Sequence, residues 1–225
     1  VPDTDHGDSS PTLLLQVLLE ARSAGFLGPG PIEPHLDHAS GFVTLARRLS
    51  TGSTEPPRLL DLGSGGGLPG LVMALAWPTA ALVLLDASER RTDFLRQSVR
   101  RLDLEDRVTV VHQRAETCGR DPQYRGTFDG VVVRSFGAPA VVAECSAPFL
   151  HLGGWLIVSE PPGTLQDGGA GDDGGRWPPE AVAQVGLEPG EFERGDFGYQ
   201  VLYQRELCPE RYPRRNGVPS KHPLF

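Results

Sequence analysis

Leu59-Leu60-Asp61-Leu62-Gly63-Ser64-Gly65-Gly66-Gly67-Leu68-Pro69-Gly70 is the stretch on which the fold turns. The first four residues read as a buried strand, and residues 69–76 read as a helix that opens directly after the glycines. Glycines let the backbone turn tightly and approach a ligand closely. The helix start beyond them offers unpaired N–H groups. A glycine-rich turn by itself also suits a strand–helix junction that binds nothing, so the rest of the chain has to decide.

On either side the pattern repeats. Residues 81–86 form a second strand ending on Asp86, and Ser88 is placed to cap a helix with Phe94, Leu95, Val99 and Leu102 on one face. Strands follow at 108–111, 128–133 and 155–158, with a helix over 138–150 and two further strands near 191–194 and 199–206. This alternation predicts an α/β fold: a Rossmann-like, doubly wound, mostly parallel sheet with an antiparallel last strand. Residues 1–57 read as an N-terminal helical extension. A helix starts at Ser10-Pro11 and stops at Gly25, a Gly/Pro connector spans 26–34, and a second helix covers 35–49. The main domain is then 58–208 and a basic tail 209–225. Residues 1–9 and the glycine-rich stretch 163–175 read as mobile.

Composition narrows the function. A length of 225 residues suits one compact domain with extensions. The formal net charge of −8 argues against a nonspecific nucleic-acid binder, which needs a broad basic surface, but allows a local basic patch. No apolar run is long enough to span a bilayer, and no secretion signal is seen. Cys118, Cys145 and Cys208 are widely spaced, which indicates neither zinc site nor disulfide framework and makes a cytoplasmic setting the expectation. His35 and His38 sit at i and i+3 of the second helix and read as polar face residues, so no metal is expected.

In such sheets ligands bind beyond the carboxyl ends of the strands. Gly65, Gly67 and Gly70 also satisfy the dinucleotide pattern G-x-G-x-x-G, so the loop alone is ambiguous. Three features favour S-adenosylmethionine (SAM). Asp61 just before the glycines can face the methionine ammonium, whereas it suits a pyrophosphate poorly. Asp86 at the end of the second strand can accept the ribose hydroxyls, and Ala115-Glu116 after the third strand can hold an adenine edge. Arg134, after three valines, closes the fourth strand at the rim of the cleft, where its planar fork can meet a carboxylate or phosphate.

The block 60–70, with its Leu-Pro-Gly extension, resembles motif I of the small-subunit ribosomal RNA guanine-N7 methyltransferases, the glucose-inhibited division protein B family. The stretch from Leu84 to Arg96, Arg114-Ala115-Glu116, the run from Phe128 to Ser135 and the basic, Pro-rich end from Arg211 to Leu224 are similar to further blocks of that family, in the same order. The resemblance implies a class I SAM-dependent methyltransferase acting on N7 of a guanine in small-subunit rRNA, and a monomer is the expectation for its oligomeric state. It implies cofactor contacts at Gly63, Leu68, Ala115, Glu116 and Arg134. With the residue reading above, Asp61, Gly63, Gly65, Gly67, Leu68, Asp86, Ala115 and Glu116 are assigned to SAM, and Arg134 to the boundary between cofactor and substrate. Arg211, Arg214, Arg215 and Lys221 are assigned to RNA phosphates.

The chain departs from the family pattern at two places. Only Glu33-Pro34-His35-Leu36-Asp37-His38-Ala39 echoes its His-x-x-Asp-Ser region, and Glu160 stands where the family has a Lys-Gly pair. Three alternatives stay open on sequence: a SAM methyltransferase for a small molecule, a nicotinamide oxidoreductase, and a ribosome-binding module without catalysis. Nucleoside activity without ribosomal activity, NAD binding without SAM binding, and particle binding without transfer would select each in turn.

Overall fold

A computed structural model describes residues 10–52, 54–161 and 175–225. The N-terminal nine residues and most of the glycine-rich stretch expected at 163–175 lie outside the described residues. Two helices, α1 (Ser10–Ser23) and α2 (Glu33–Leu49), precede the sheet. The strands are β1 (Arg58–Leu62), β2 (Ala81–Asp86), β3 (Val108–His112), β4 (Phe128–Val133), β5 (Leu150–Glu160), β6 (Leu187–Glu193) and β7 (Gly198–Gln204). Between them run α3 (Gly70–Ala76), α4 (Glu89–Arg101), the single turn α5 (Ala115–Cys118), α6 (Pro139–Ser146) and α7 (Pro179–Val182), and α8 (Val218–Lys221) follows β7. The strand order is β3-β2-β1-β4-β5-β7-β6. Pairing is parallel from β3 to β5, and β7 lies antiparallel between β5 and β6. Order reverses between β1 and β4, so the cleft opens above their carboxyl ends.

The pleat sorts side chains to two faces. Leu59, Leu82, Leu84, Val132, Trp155, Ile157 and Val201 join the cluster built with α1, α2, α3 and α4. Leu60, Leu62, Val83, Leu85, Val131, Val133, Leu156, Val158 and Leu202 join the opposite cluster, which includes α6 and Tyr212 of the C-terminal tail. Both faces are therefore covered, as the unbroken apolar strands require. Around residues 146–150, and at the cap of α4, the structure differs from the sequence reading. The helix expected over 138–150 ends at Ser146 and gives way to a 3₁₀ turn at Ala147–Phe149, because Pro148 cannot donate the next helical hydrogen bond. The following strand accordingly begins at Leu150. Ser88 stands at the N-cap of α4 but makes no side-chain cap; its backbone N–H donates to Asp86 Oδ1 at 2.9 Å instead.

One close approach sets how α2 lies on the sheet. Tyr199 of β7 donates its hydroxyl to the His38 carbonyl at 2.7 Å, and a Cβ on Gly41 would fall within that hydroxyl. Gly41→Ala in an ordinary helix would gain about 1 kcal/mol. Here overpacking, which costs about 1–3 kcal/mol, outweighs the gain. Thermal unfolding of Gly41→Ala is expected to show a Tm several degrees lower; a higher Tm would refute this account of the α2–β7 contact.

Candidate functional site: a cleft above β1, β2 and β4

Two strand-end carboxylates hold the glycine loop. Asp61, 1% exposed, accepts from Gly70 N–H through Oδ2 at 3.0 Å, and its backbone carbonyl accepts from Ser64 Oγ at 2.9 Å. Asp86 accepts from Gly65 N–H through Oδ2 at 3.0 Å, and Arg91 stands 3.6 Å from the same oxygen. Gly63, Gly65 and Gly67 all take positive φ. A Cβ on Gly63 would lie 2.6 Å from the Phe136 ring, and one on Gly70 would lie 2.6 Å from Asp61 Oδ2. The loop thus needs glycine both for its dihedrals and for its closeness to what surrounds it.

Three neighbouring hollows line the cleft. The first, about 270 Å³, runs over Asp86, Ala87, Gln113, Ala115, Glu116 and Phe136. The second, about 200 Å³, lies on Gly63, Ser64, Gly65, Gly66 and Leu68, roofed by Phe26 and Leu27 and flanked by Arg134. The third, about 490 Å³, is walled by His35, His38, Phe136, Phe197, Ser159 and Glu160. All three meet at Ser135, a non-glycine residue held at φ 55°. Such a left-handed residue at the junction of a cleft is costly backbone, and strain of this kind concentrates at functional sites.

Most expected residues converge here. Gly63, Gly65, Leu68, Asp86, Ala115, Glu116 and Arg134 all line the first two hollows. Gly67 lies inside the turn beside Leu71 and Leu95. Asp61 is the exception in position. It lies beneath the loop rather than on the cleft wall, and its Oδ1 is buried without a hydrogen-bond partner. Burial pushes its carboxyl up to about 7, against the Gly70 N–H and Ser64 bonds that lower it. Arg134 spans the second and third hollows, and its guanidinium donates to His35 Nδ1. Burial lowers its pKa, and the Asp61 charge offsets part of that. The two histidines have different partners: His35 holds Arg134, and His38 stacks on Phe197 at 4.5 Å. Burial, with Arg134 nearby, lowers His38 to about 4 and leaves it neutral at pH 7.

Glu160 is buried with its charge compensated. Trp177 Nε1 donates to its Oε1 at 2.6 Å, and Arg176 Nε lies 2.7 Å from its Oε2. The acid that stands in place of a cation in the sequence therefore carries its own cation, supplied from beyond the strand. The tail residues divide. Arg214 turns inward onto Glu144, which is 0% exposed, through Nε at 2.8 Å and Nη2 at 2.6 Å. Arg211, Arg215 and Lys221 are exposed. Sequence reasoning missed the roof at Phe26 and Leu27, the wall at Phe136, and Ser220 of α8, which reaches the first hollow. Phe136, two residues beyond Arg134 at the strand end, was open to detection by position. The roof and Ser220 carry no local signal.

The cleft fits SAM. Asp86 keeps carboxylate lone pairs that can accept ribose hydroxyls, the glycines leave room for close approach, and the partnerless Asp61 Oδ1 lies beneath the loop as an acceptor. An ammonium above the loop favours ionised Asp61, so binding should release a proton where Asp61 is still protonated. Affinity for S-adenosylhomocysteine (SAH) is therefore expected to rise between about pH 6 and 7.5 and to fall above about pH 8, where the ligand's own amino group deprotonates. Without ligand the raised carboxyl works the other way. The native state then holds more protons than the unfolded chain between the ordinary carboxylate range and about 7, so stability falls as pH rises through that window. Calorimetric titration of the unaltered chain and of Asp61→Asn tests this: the rising limb should vanish in the variant, and a flat limb in the unaltered chain would refute the role.

The comparisons agree with this geometry. The rRNA small subunit methyltransferase G family matches residues 38–159. Ribosomal RNA small subunit methyltransferase G of Leuconostoc mesenteroides is 32% identical over 196 residues, covering 84% of this chain and 79% of its own. The protein of the same name from Carboxydothermus hydrogenoformans is 36% identical over 174 residues, covering 73% and 70%. Among solved structures, an O-methyltransferase from Bacillus cereus in complex with SAH aligns with a TM-score of 0.61 over 90% of this chain and 93% of that one, at 18% identity, which speaks for the fold alone. With its β3-β2-β1-β4-β5-β7-β6 sheet and its carboxylate-pinned glycine loop, the chain belongs to the rRNA small subunit methyltransferase G family of class I SAM-dependent methyltransferases.

Proposed function

We propose that this chain, acting as a monomer, methylates N7 of a guanine in small-subunit ribosomal RNA. The observation that carries the reading is the third hollow, walled by rings and sharing Arg134, Ser135 and Phe136 with the two hollows of the cofactor cleft. The hollow, about 490 Å³ and walled by Phe136 on one part and by the His38–Phe197 stack on another, is of a size to take a purine ring, and a base taken out of its stack is read in such a pocket. The names of the relatives above support RNA of the small subunit as the substrate.

Bound SAM supplies an electrophilic methyl group on a sulfonium. The chain supplies alignment. Guanine N7 has an in-plane lone pair and no proton to lose, so no general base is required. Neutral His38, stacked on Phe197, acts as a flat wall rather than as a proton acceptor. Arg134, fixed by His35, sits at the boundary of the two hollows and orients what enters from either side. Loop and rings together exclude water from the line of attack. The methylated base is cationic, and the faces of Phe136 and Phe197 stabilise it. Exposed Arg211, Arg215 and Lys221 are assigned to RNA phosphates, a local patch on an otherwise acidic chain. Arg214 holds the segment that presents them.

The test incubates the chain with methyl-labelled SAM and small ribosomal subunits from cells lacking the modification, followed by digestion to nucleosides. Label is expected in N7-methylguanosine, with loss of at least about a hundredfold in Asp86→Ala, about 2.7 kcal/mol of transition-state stabilisation. Label on free nucleosides but not on subunits would instead select a small-molecule acceptor.

A further inference from the structure

The C-terminal tail is bound to the rim of the cofactor cleft by a set of polar ties, most of them partly buried. Glu116 Oε1 accepts from Gly217 N–H at 2.8 Å and from Arg114 Nη2 at 2.8 Å. Thr117 Oγ1 donates to Asn216 Oδ1 at 3.0 Å. Arg125 gathers the carbonyls of Cys208, Pro209 and Tyr212 at 2.8–3.1 Å, and also that of Gly119 at 3.0 Å. Arg214 closes a fork on Glu144 and donates to the His222 carbonyl at 2.6 Å. Tyr212 and Pro219 are buried. These ties seat α8 so that Ser220 joins Asp86, Gln113, Ala115 and Glu116 around the first hollow.

We propose that the tail, residues 209–225, forms the outer wall of the nucleoside half of the cofactor cleft, with Ser220 as the residue that meets the ligand and Glu116 as a positioning residue that holds the wall through Gly217. The proposal rests on the reading that this hollow takes the nucleoside of SAM. It gives Glu116 a role other than direct adenine contact. Three hydrogen bonds already occupy its carboxylate, two from Arg114 and one from Gly217. Burial pushes that carboxyl up, but Arg114 and the Gly217 N–H outweigh it and hold it below its ordinary range, so the tie stays charged at neutral pH. Buried, multiply bonded carboxylates such as Glu116 and Glu144 specify one placement of the segment that satisfies them, since any other leaves them unpaired.

Ser220 is exposed, so a large side chain there is compatible with folding while filling the hollow. Ser220→Trp is expected to raise the Kd for SAH about tenfold or more, a change of about 1.4 kcal/mol, with Tm of the free protein unchanged within about 2 °C. Leu207→Trp, at an exposed position ahead of the tail and outside the hollow, should leave Kd within about twofold. Amide exchange gives a second readout. Adenosine alone should slow exchange over 217–221 as SAH does, and methionine alone should not. Glu116→Ala should speed that exchange and raise Kd, with partial rescue in Glu116→Gln, which keeps an acceptor for Gly217. If the unaltered chain binds no SAH, the cofactor reading fails and the proposal falls with it. If the unaltered chain binds SAH but Ser220→Trp binds equally well and adenosine leaves the tail's exchange unchanged, the proposal alone is overturned.

Discussion

The cleft depends on two carboxylates accepting backbone N–H groups from one loop. Asp61 takes Gly70 and Asp86 takes Gly65, so the turn between β1 and α3 is pinned at both ends. The first bond does not survive a larger residue, since a Cβ on Gly70 would press on Asp61 and on Leu84 of β2; Gly65 has room for one but holds a φ of 56° that favours glycine. Hydrogen bonds to carboxylates are among the stronger ones; the one from Gly70 is buried and the one from Gly65 partly so. The cost is a buried acid with an oxygen left unsatisfied, which a folded protein tolerates where a ligand restores the balance.

Around that loop the protein recruits segments distant in sequence. The connector after α1 brings Phe26 and Leu27 over the glycines, and α2 brings His35 to Arg134 and His38 to Phe197. The second helix can do this because Tyr199 of β7 fits against Gly41 and bonds the His38 carbonyl. The apolar cluster shared by α1, α2, α3, α4 and one sheet face binds the N-terminal helices to the rest. On the other face the tail is fastened by polar ties as well as by Tyr212 and Leu224. Residues of the N-terminal helices and connector and Ser220 of α8 thus line the three hollows together with the strand ends.

Buried charge is distributed with its compensation close by. Glu160 has Arg176 and Trp177, Glu144 has Arg214, and Glu116 has Arg114. Each pair costs desolvation that its geometry must offset, so their worth lies more in fixing where a segment sits than in net stability. This explains how a chain of net charge −8 places acids around a site proposed to receive RNA without opposing it there.

Sequence alone determined what depends on local rules. The alternation of apolar strands with helical runs set the parallel sheet, the glycine loop marked its ligand end, and Asp86, Ala115 and Arg134 stood at strand ends where such sheets bind. Each of those follows from period, turn chemistry and position within a βα unit, which neighbouring residues express. Only tertiary structure decided the rest. It set Asp61 under the loop instead of on the cleft wall, turned Arg214 from the surface to Glu144, gave Glu160 a cation, and brought Phe26 and Ser220 to one cleft from opposite ends of the chain. The physical reason is that a hydrogen bond or ion pair across about a hundred residues, such as Glu116 with Gly217 or Arg134 with His35, leaves no periodic trace in either partner's neighbourhood.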